Sequence, residues 1–147
     1  IRGMLPDSPG NLCWSVGPVL SNKELSDAIV NGPYKKQALV PQTPWFKNTH
    51  LTSPEITTSK EIDKIKISWT HENKNKVFRW VVYFKYGNRW DYIILDSDTF
   101  SYEVPLISEY KFTNDKEVTK KYELNVVAVS AVDRISNESV PAVCNIK

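Results

Sequence analysis

The C-terminal stretch from residue 121 to residue 147 constrains the fold more than any other part of the chain. Its first half alternates in period two, with one face formed by Tyr122, Leu124, Val126, Ala128 and Ser130. Such a period places successive side chains on opposite faces of a β-strand. The polar turn Asp133–Glu138 separates this strand from a second apolar segment, from about Val140 to Ile146. The stretch therefore predicts two antiparallel strands that close a small β-sandwich.

Five further segments upstream have strand character and are separated by turn-forming residues. They are an edge strand around Ile56, then Lys64–Thr70, Val77–Tyr86, Trp90–Leu95 and Phe100–Val104. The segment Val77–Tyr86 is almost entirely β-branched and aromatic, which is typical of a central strand covered on both faces. Leu106–Lys120 is predicted to be a long connection.

Seven short strands separated by turns predict a mostly β protein. Residues 54–147 are predicted to form a seven-stranded fibronectin type III or immunoglobulin-like β-sandwich. Trp69 is expected to fill the centre of the core, and Tyr122 is expected to be a corner tyrosine whose hydroxyl bonds upstream backbone. Cys13 and Cys144 are not at immunoglobulin intersheet positions, which favours the fibronectin type III version. Two buried free thiols are favoured over a single bridge between the chain's ends.

The N-terminal segment, residues 1–53, is predicted to contain a loop-like start, one helix and a Pro-rich linker. Ser21 and Glu24 have the spacing of a capping box, in which each side chain satisfies a backbone N–H group of the other residue. The apolar spacing that follows predicts a helix from about Asn22 to Asn31. The linker over residues 33–54 is rich in proline and aromatic residues, so we expect it to lie against a surface.

Charge and residue chemistry argue against several classes of function. The formal net charge is +2 and the basic residues are dispersed, so no nucleic-acid partner is predicted. No apolar run is long enough to span a membrane. His50 and His71 lack ligand partners at metal-binding spacing, and no two carboxylates are placed across a cleft, so no metal, cofactor or catalytic residue is predicted. Asn137 begins an N-glycosylation sequon, which is a weak signal on its own.

The aromatic residues suggest one kind of ligand. The chain has five tryptophans and seven tyrosines, and exposed aromatic faces stack on the apolar faces of sugar rings. Trp69 and Trp80 are assigned to the core, and Trp90 and Tyr92 to an exposed edge. The candidate carbohydrate contacts are therefore Trp14, Trp45, Trp90 and Tyr92, with core packing or contact between domains as the alternative.

Several short motifs resemble one family. They are Gly10–Ser15 (a candidate strand), the capped helix, Ala38–Pro41 with Pro44-Trp45, and, in the sandwich, Ile67–Trp69, Val81–Tyr83 and Ser136–Ser139. Together they resemble the C-terminal region of the bacterial glycosyl-hydrolase-like 10 family, where a (β/α)8 barrel precedes a fibronectin type III-like domain. The resemblance implies that residues 1–53 are the remnant of a barrel domain. It also implies a longer extracytoplasmic parent protein, secreted or lipid-anchored through its N-terminus, with its catalytic residues upstream.

The expected function is a noncatalytic accessory domain of a bacterial glycoside hydrolase, with the upstream catalytic domain of the same chain as its partner. Three alternatives remain open. A carbohydrate-binding module predicts aligned exposed aromatic rings, and a protein–protein interaction module predicts an exposed apolar patch. A catalytic fragment predicts two carboxylates that face each other in a cleft.

Overall fold

The computed structural model describes residues 15–32, 34–41, 51–114 and 116–146, without the side chains of residues 111–114 and 116–118. The chain divides into two compact units, Ile1–Pro41 and Gln42–Lys147. The predicted boundary between residues 53 and 54 stays a prediction. Cys13, Trp14 and Trp45, together with the candidate strand before Ser15, lie outside the described residues.

The first unit contains two short helices, α1 (Gly17–Ser21) and α2 (Lys23–Asn31). The predicted helix is confirmed, but the predicted capping box is wrong. Ser21 is the last residue of α1, so its backbone is helical and cannot form an N-cap. Asn22 has extended backbone angles instead, and its Oδ1 accepts the N–H of Leu25 at 3.0 Å. The loop-like start predicted for this segment includes the residues that form α1, where Pro18 lies in the first turn, a position that tolerates proline well.

The second unit is a sandwich of two antiparallel sheets built from eight strands. They are β1 (Glu55–Lys60), β2 (Lys64–Thr70), β3 (Arg79–Tyr86), β4 (Arg89–Asp96), β5 (Ser101–Pro105), β6 (Ile107–Asn114), β7 (Lys116–Val132) and β8 (Ala142–Asn145). One sheet has the order β1-β2-β5. The other has the order β4-β3-β7-β6, with β8 also paired to β7. The set β1-β2-β5 against β4-β3-β7-β8 has the strand order of a fibronectin type III domain, so the predicted fold class is confirmed.

The eighth strand corrects the prediction of a long connection over residues 106–120. These residues form β6 and the first part of β7, which pair from Ile107 opposite Glu123 to Asn114 opposite Lys116. The segment lacks a continuous apolar face, so its periodicity is weak in the sequence. Cross-strand charge supports the pairing instead, since Lys121 Nζ lies 3.0 Å from Glu109 Oε1.

The core lies between the two sheets, and tryptophans from each sheet meet at its centre. Trp69 from β2 is 2% exposed, as predicted, and its ring centroid lies 6.0 Å from that of Trp80 on β3. Val81 and Val82 point to opposite faces of β3 and both are fully buried. The prediction of a central strand covered on both faces therefore holds for Trp80–Val82, whereas Tyr83, Phe84 and Lys85 are half-buried.

None of the described hydrogen bonds involves the Tyr122 hydroxyl, so the corner role predicted for Tyr122 is wrong. Its ring packs against Tyr110 at a centroid distance of 5.8 Å. The buried tyrosine whose hydroxyl bonds backbone is Tyr86, which donates to the carbonyl of Pro105 at 2.6 Å. Gly87 has a φ of +57°, and a Cβ atom there would lie 2.8 Å from Tyr122 Cδ1, so both the turn and the tyrosine ring require glycine.

Cys144 is a free thiol on β8. It is half-buried rather than buried, which corrects the expectation for this residue. Its Sγ lies 3.8 Å from Thr58 Oγ1 on β1.

Candidate functional site

The outer face of the five-stranded sheet carries a row of side chains that spans four strands. Tyr83 on β3 lies directly opposite Tyr92 on β4 and Ala128 on β7, and Ala128 lies opposite Val143 on β8. Residues directly opposite each other in a sheet point to the same face. The row is therefore aromatic at its β4 end and aliphatic at its β8 end.

Tyr83 and Ala128, at the centre of this row, form the floor of an open groove of about 390 Å³. The groove is almost entirely apolar. It is lined by Tyr83, Trp90, Asp91, Tyr92, Ala128, Pro141 and Val143. Trp90 and Tyr92 form one wall, and Pro141 and Val143 form the other. An apolar lining with a few polar groups is typical of sites for small ligands.

The aromatic wall is exposed at Trp90 and half-buried at Tyr92. Trp90 exposes 55% of its surface, although tryptophan is largely buried in most proteins. The rings of Tyr83 and Tyr92 lie 6.3 Å apart at an interplanar angle of 47°. Lys85, directly opposite Trp90, places Nζ 5.7 Å from the centroid of the Trp90 ring. This distance is that of a cation–π contact.

Glu138 ties the β7–β8 connection to the floor of the groove. Its Oε1 accepts hydrogen bonds from the Tyr83 hydroxyl at 2.6 Å and from the buried Ser130 hydroxyl at 2.5 Å. Burial and this bond to Glu138 raise the pKa of Tyr83. The phenol therefore stays a neutral donor, and Tyr83 presents its ring rather than its hydroxyl to the groove.

Asp91 lies at the edge of the lining but does not present its carboxylate to the groove. Alternation along β4 places its side chain on the face opposite that of Trp90 and Tyr92, where the neighbouring Ile93 and Leu95 pack against the core. Its Oδ1 accepts the backbone N–H of Tyr92 at 2.8 Å.

Two of the four predicted carbohydrate contacts, Trp90 and Tyr92, lie side by side in this groove. Trp14 and Trp45 lie outside the described residues. The sequence reasoning missed Tyr83, although the period of two along β3 places it on the face opposite Trp80. It also missed Pro141 and Val143, which join the groove only because β8 returns to pair with β7.

Other acidic residues are engaged in ion pairs at the surface. Asp96 pairs with Arg79, and Glu103 Oε2 lies 2.6 Å from Lys64 Nζ. The hydrogen bond between Lys64 and Glu103 raises the pKa of the ammonium group and lowers the pKa of the carboxyl group. Within the described residues, no group of three or more His, Cys, Asp or Glu side chains could hold a metal ion.

His71 and Asn137 have structural partners. The Nδ1 of buried His71 accepts the N–H of Asn73 at 3.0 Å, and its Nε2 lies 3.0 Å from the carbonyl oxygen of Thr52. These contacts anchor the entry to the sandwich. Asn137 is buried, and its Nδ2 donates to Asp133 at 2.9 Å, so the sequon is not exposed for glycosylation.

Within the described part of the chain, no helix combines the length and the apolar character needed to cross a membrane.

Comparison with known proteins assigns no family. No family model and no curated protein matches the chain. Among solved structures, it is similar to the pectate lyase PelI of Erwinia chrysanthemi in complex with tetragalacturonic acid, with 17% identity over 63% of this chain and a TM-score of 0.41. The chain spans 28% of that lyase's length. It is also similar to a myokine, with 15% identity over 64% of this chain and 95% of the myokine, and a TM-score of 0.42. Both TM-scores are too low for either likeness to carry an argument about function.

Proposed function

We propose that the sandwich is a noncatalytic accessory domain that binds glycans in the groove of its outer sheet face. The observation that carries this proposal is the exposed ring of Trp90, which lies beside Tyr92 and above the floor formed by Tyr83. The C–H faces of a sugar ring pack on aromatic side chains, while its hydroxyl groups stay at the solvent side.

The lining supports this function over a purely structural one. An exposed tryptophan in a mostly apolar groove leaves apolar surface in contact with water, which favours a ligand that covers it. The hydroxyl of Tyr83 is already bonded to Glu138, so the floor offers an apolar ring.

An accessory domain serves a catalytic domain of the same protein. On the strength of the motifs that resemble the glycosyl-hydrolase-like 10 family, we propose that a catalytic domain precedes the sandwich in a longer bacterial protein. That protein would be extracytoplasmic and would act on glycans. In that arrangement the groove would hold a glycan near the catalytic domain.

Calorimetric titration with a panel of soluble oligosaccharides tests glycan binding. We expect saturable binding of at least one glycan, with a shift in tryptophan emission, and loss of both on Trp90→Ala or Tyr92→Ala. Phe78→Ala is the matched control, because Phe78 is an exposed aromatic residue (40%) outside the groove. Binding that survives both groove variants, or no binding across the panel, would contradict the proposal.

A protein–protein interaction module is the second candidate. Val143, in the aliphatic wall of the groove, is 60% exposed, and Val140, which precedes Pro141 in the chain, is 75% exposed. Together with Trp90 they form an apolar surface of the kind that docks protein partners. A glycan panel without binding, followed by capture of a partner that is lost on Val143→Asp, would favour this candidate.

A further inference from the structure

We infer that the groove prefers neutral pyranose sugars whose ring hydroxyl groups are all equatorial, as in β-1,4-linked glucose chains. This inference rests on the proposed glycan-binding function and adds the chemical class of the sugar. The observation that carries it is that apolar side chains line the groove on both sides. Trp90 and Tyr92 form one wall, and Pro141 and Val143 form the other.

The charges around the groove favour a neutral ligand. Asp91 directs its carboxylate to the other face of β4, and the other described lining residues are uncharged. Two charges of opposite sign lie just outside the lining. The ammonium group of Lys85 lies 5.7 Å from the centroid of the Trp90 ring. Glu138 accepts the hydroxyl of Tyr83. A charged sugar would be attracted by one of these groups and repelled by the other.

The two walls are close enough for one sugar ring to contact both. β3 and β7 lie between β4 and β8, so the wall strands are three strand spacings apart, or about 14 Å between backbones. The wall side chains occupy part of that width, and the small side chain of Ala128 leaves room between them. A ring that stands on the floor would therefore present one face to the aromatic wall and the other face to the aliphatic wall.

The configuration of the sugar decides how well such a ring fits. When all ring hydroxyls are equatorial, they lie at the edge of the ring, and both faces expose C–H groups. An axial hydroxyl projects from one face instead. Against the aliphatic wall it loses hydrogen bonds to water and finds no side-chain partner, because Pro141 and Val143 have only hydrocarbon side chains. A polar group that is left unpaired against apolar surface lowers the affinity.

The test compares two neutral oligosaccharides of equal length, a β-1,4-linked glucose hexamer and a β-1,4-linked mannose hexamer. They differ only at C2, where mannose has an axial hydroxyl. Binding is measured by calorimetry on the full chain. We expect the glucose hexamer to bind on the order of tenfold more tightly, the effect of one unpaired hydroxyl group. Added salt should change its affinity by less than about twofold, because salt screens only interactions between charges.

A nearly isosteric change in the aliphatic wall tests which surface discriminates. Val143→Thr places a hydroxyl group in that wall, where it can pair with the axial hydroxyl of mannose. We expect the ratio of the two affinities to fall by about threefold or more, the effect of one added hydrogen bond. Val140→Thr is the matched control, because Val140 is exposed and is not part of the lining. It should leave the ratio unchanged, and equal unfolding midpoints for the variants would exclude a folding defect.

The outcomes separate the two proposals. Equal binding of both hexamers, or tighter binding of the mannose hexamer, would overturn the preference for equatorial hydroxyls and leave glycan binding in place. A ratio that Val143→Thr does not change would also overturn it, because the axial hydroxyl would then not face the aliphatic wall. Binding of neither hexamer, together with binding of another glycan that Trp90→Ala abolishes, would reject the preference alone. No glycan binding at all would reject both.

Discussion

Tyr86 shows how one side chain connects the two sheets. It belongs to β3, and its hydroxyl donates to the carbonyl of Pro105 at the end of β5 in the other sheet. The ring is 2% exposed, and burial raises the pKa of Tyr86 from its ordinary value of 10.0 to about 12. The protonated phenol is therefore favoured in the folded state.

Tyr86→Phe should lower the free energy of unfolding by roughly 1 to 2 kcal/mol, because the carbonyl of Pro105 loses its buried partner. The wild-type chain has a further pH dependence. Since the pKa of Tyr86 is higher in the folded state, its contribution to the free energy of unfolding is complete below pH 10.0. This contribution is lost as the pH rises through about 12.

Urea unfolding at a series of alkaline pH values measures both effects. The variant should lose less stability than the wild type across this pH range. Tyr83, whose pKa is also raised, accounts for part of the stability that the variant still loses. Identical alkaline profiles for the two proteins would contradict the assignment to Tyr86.

Residue roles could be predicted where local pattern decides them. Alternation along β2 placed Trp69 inside, and Trp90 was assigned to an exposed edge together with Tyr92, which is half-buried. The tyrosine that bonds backbone across the sheets was not predictable in this way. Tyr86 and Tyr122 are both aromatic residues on strands, and only the folded chain brings the carbonyl of Pro105 to one of them.

At the scale of elements, the start of α2 depends on a single residue. Asn22 breaks the path of the backbone between α1 and α2, and its Oδ1 accepts the N–H of Leu25. Asn22→Ala should destabilise this helix by about 1 kcal/mol. Amide hydrogen exchange at Leu25 should become faster.

Ser21→Ala is the matched control for the cap, because Ser21 ends α1 and has no capping role. It should leave exchange at Leu25 unchanged. The reverse result, with faster exchange in Ser21→Ala alone, would restore the capping box that the sequence predicts.

The β7–β8 connection depends on Glu138. Glu138→Ala removes the acceptor of two hydrogen bonds and leaves the buried Ser130 hydroxyl without it. We expect the free energy of unfolding to fall by roughly 1 to 3 kcal/mol and glycan affinity to fall with it, since Pro141 and Val143 lose their anchor. Glu138→Gln keeps an amide oxygen as acceptor and should recover most of both quantities.

Urea unfolding and calorimetric titration of the two variants measure these changes. An alanine variant with wild-type stability and affinity would show that the connection is held by its other contacts. Those contacts include the bond from the N–H of Ser139 to the carbonyl of Ala131 at 2.8 Å.

At the scale of the whole molecule, two tryptophans hold the sheets together but differ in their polar atoms. The Nε1 of Trp80 donates to the carbonyl of Ser97 at 3.1 Å. The Nε1 of Trp69 is buried and has no hydrogen-bond partner in the described part of the chain. A buried donor without a partner costs free energy, so Trp69 and Trp80 do not contribute equally to the stability of the fold.

Trp80→Phe should therefore destabilise the protein more than Trp69→Phe, by a difference on the order of 1 to 3 kcal/mol. Both changes remove an indole from the core, but the first also breaks a hydrogen bond and the second removes an unsatisfied donor. Urea unfolding measures the difference. Equal losses would indicate that Trp69 Nε1 bonds a buried water molecule.

The sequence by itself determined the class of the fold, most strand positions, the central role of Trp69 and the exposed position of Trp90, whereas Tyr92 is half-buried. Each of these follows from local periodicity and residue type, which act over a few neighbouring residues. The pairing of β6 with β7 was not determined in this way, because its strands are polar and their attraction depends on charges that meet only across the hairpin.

The tertiary structure decided how the groove is assembled. Its floor and walls come from four strands, and Glu138 reaches Tyr83 across 55 positions of sequence. Local pattern does not encode such contacts, because a hydroxyl or carboxylate can bond many partners and the fold selects one of them. The aromatic wall was therefore visible in the sequence, whereas the opposite wall and the carboxylate that holds it were not.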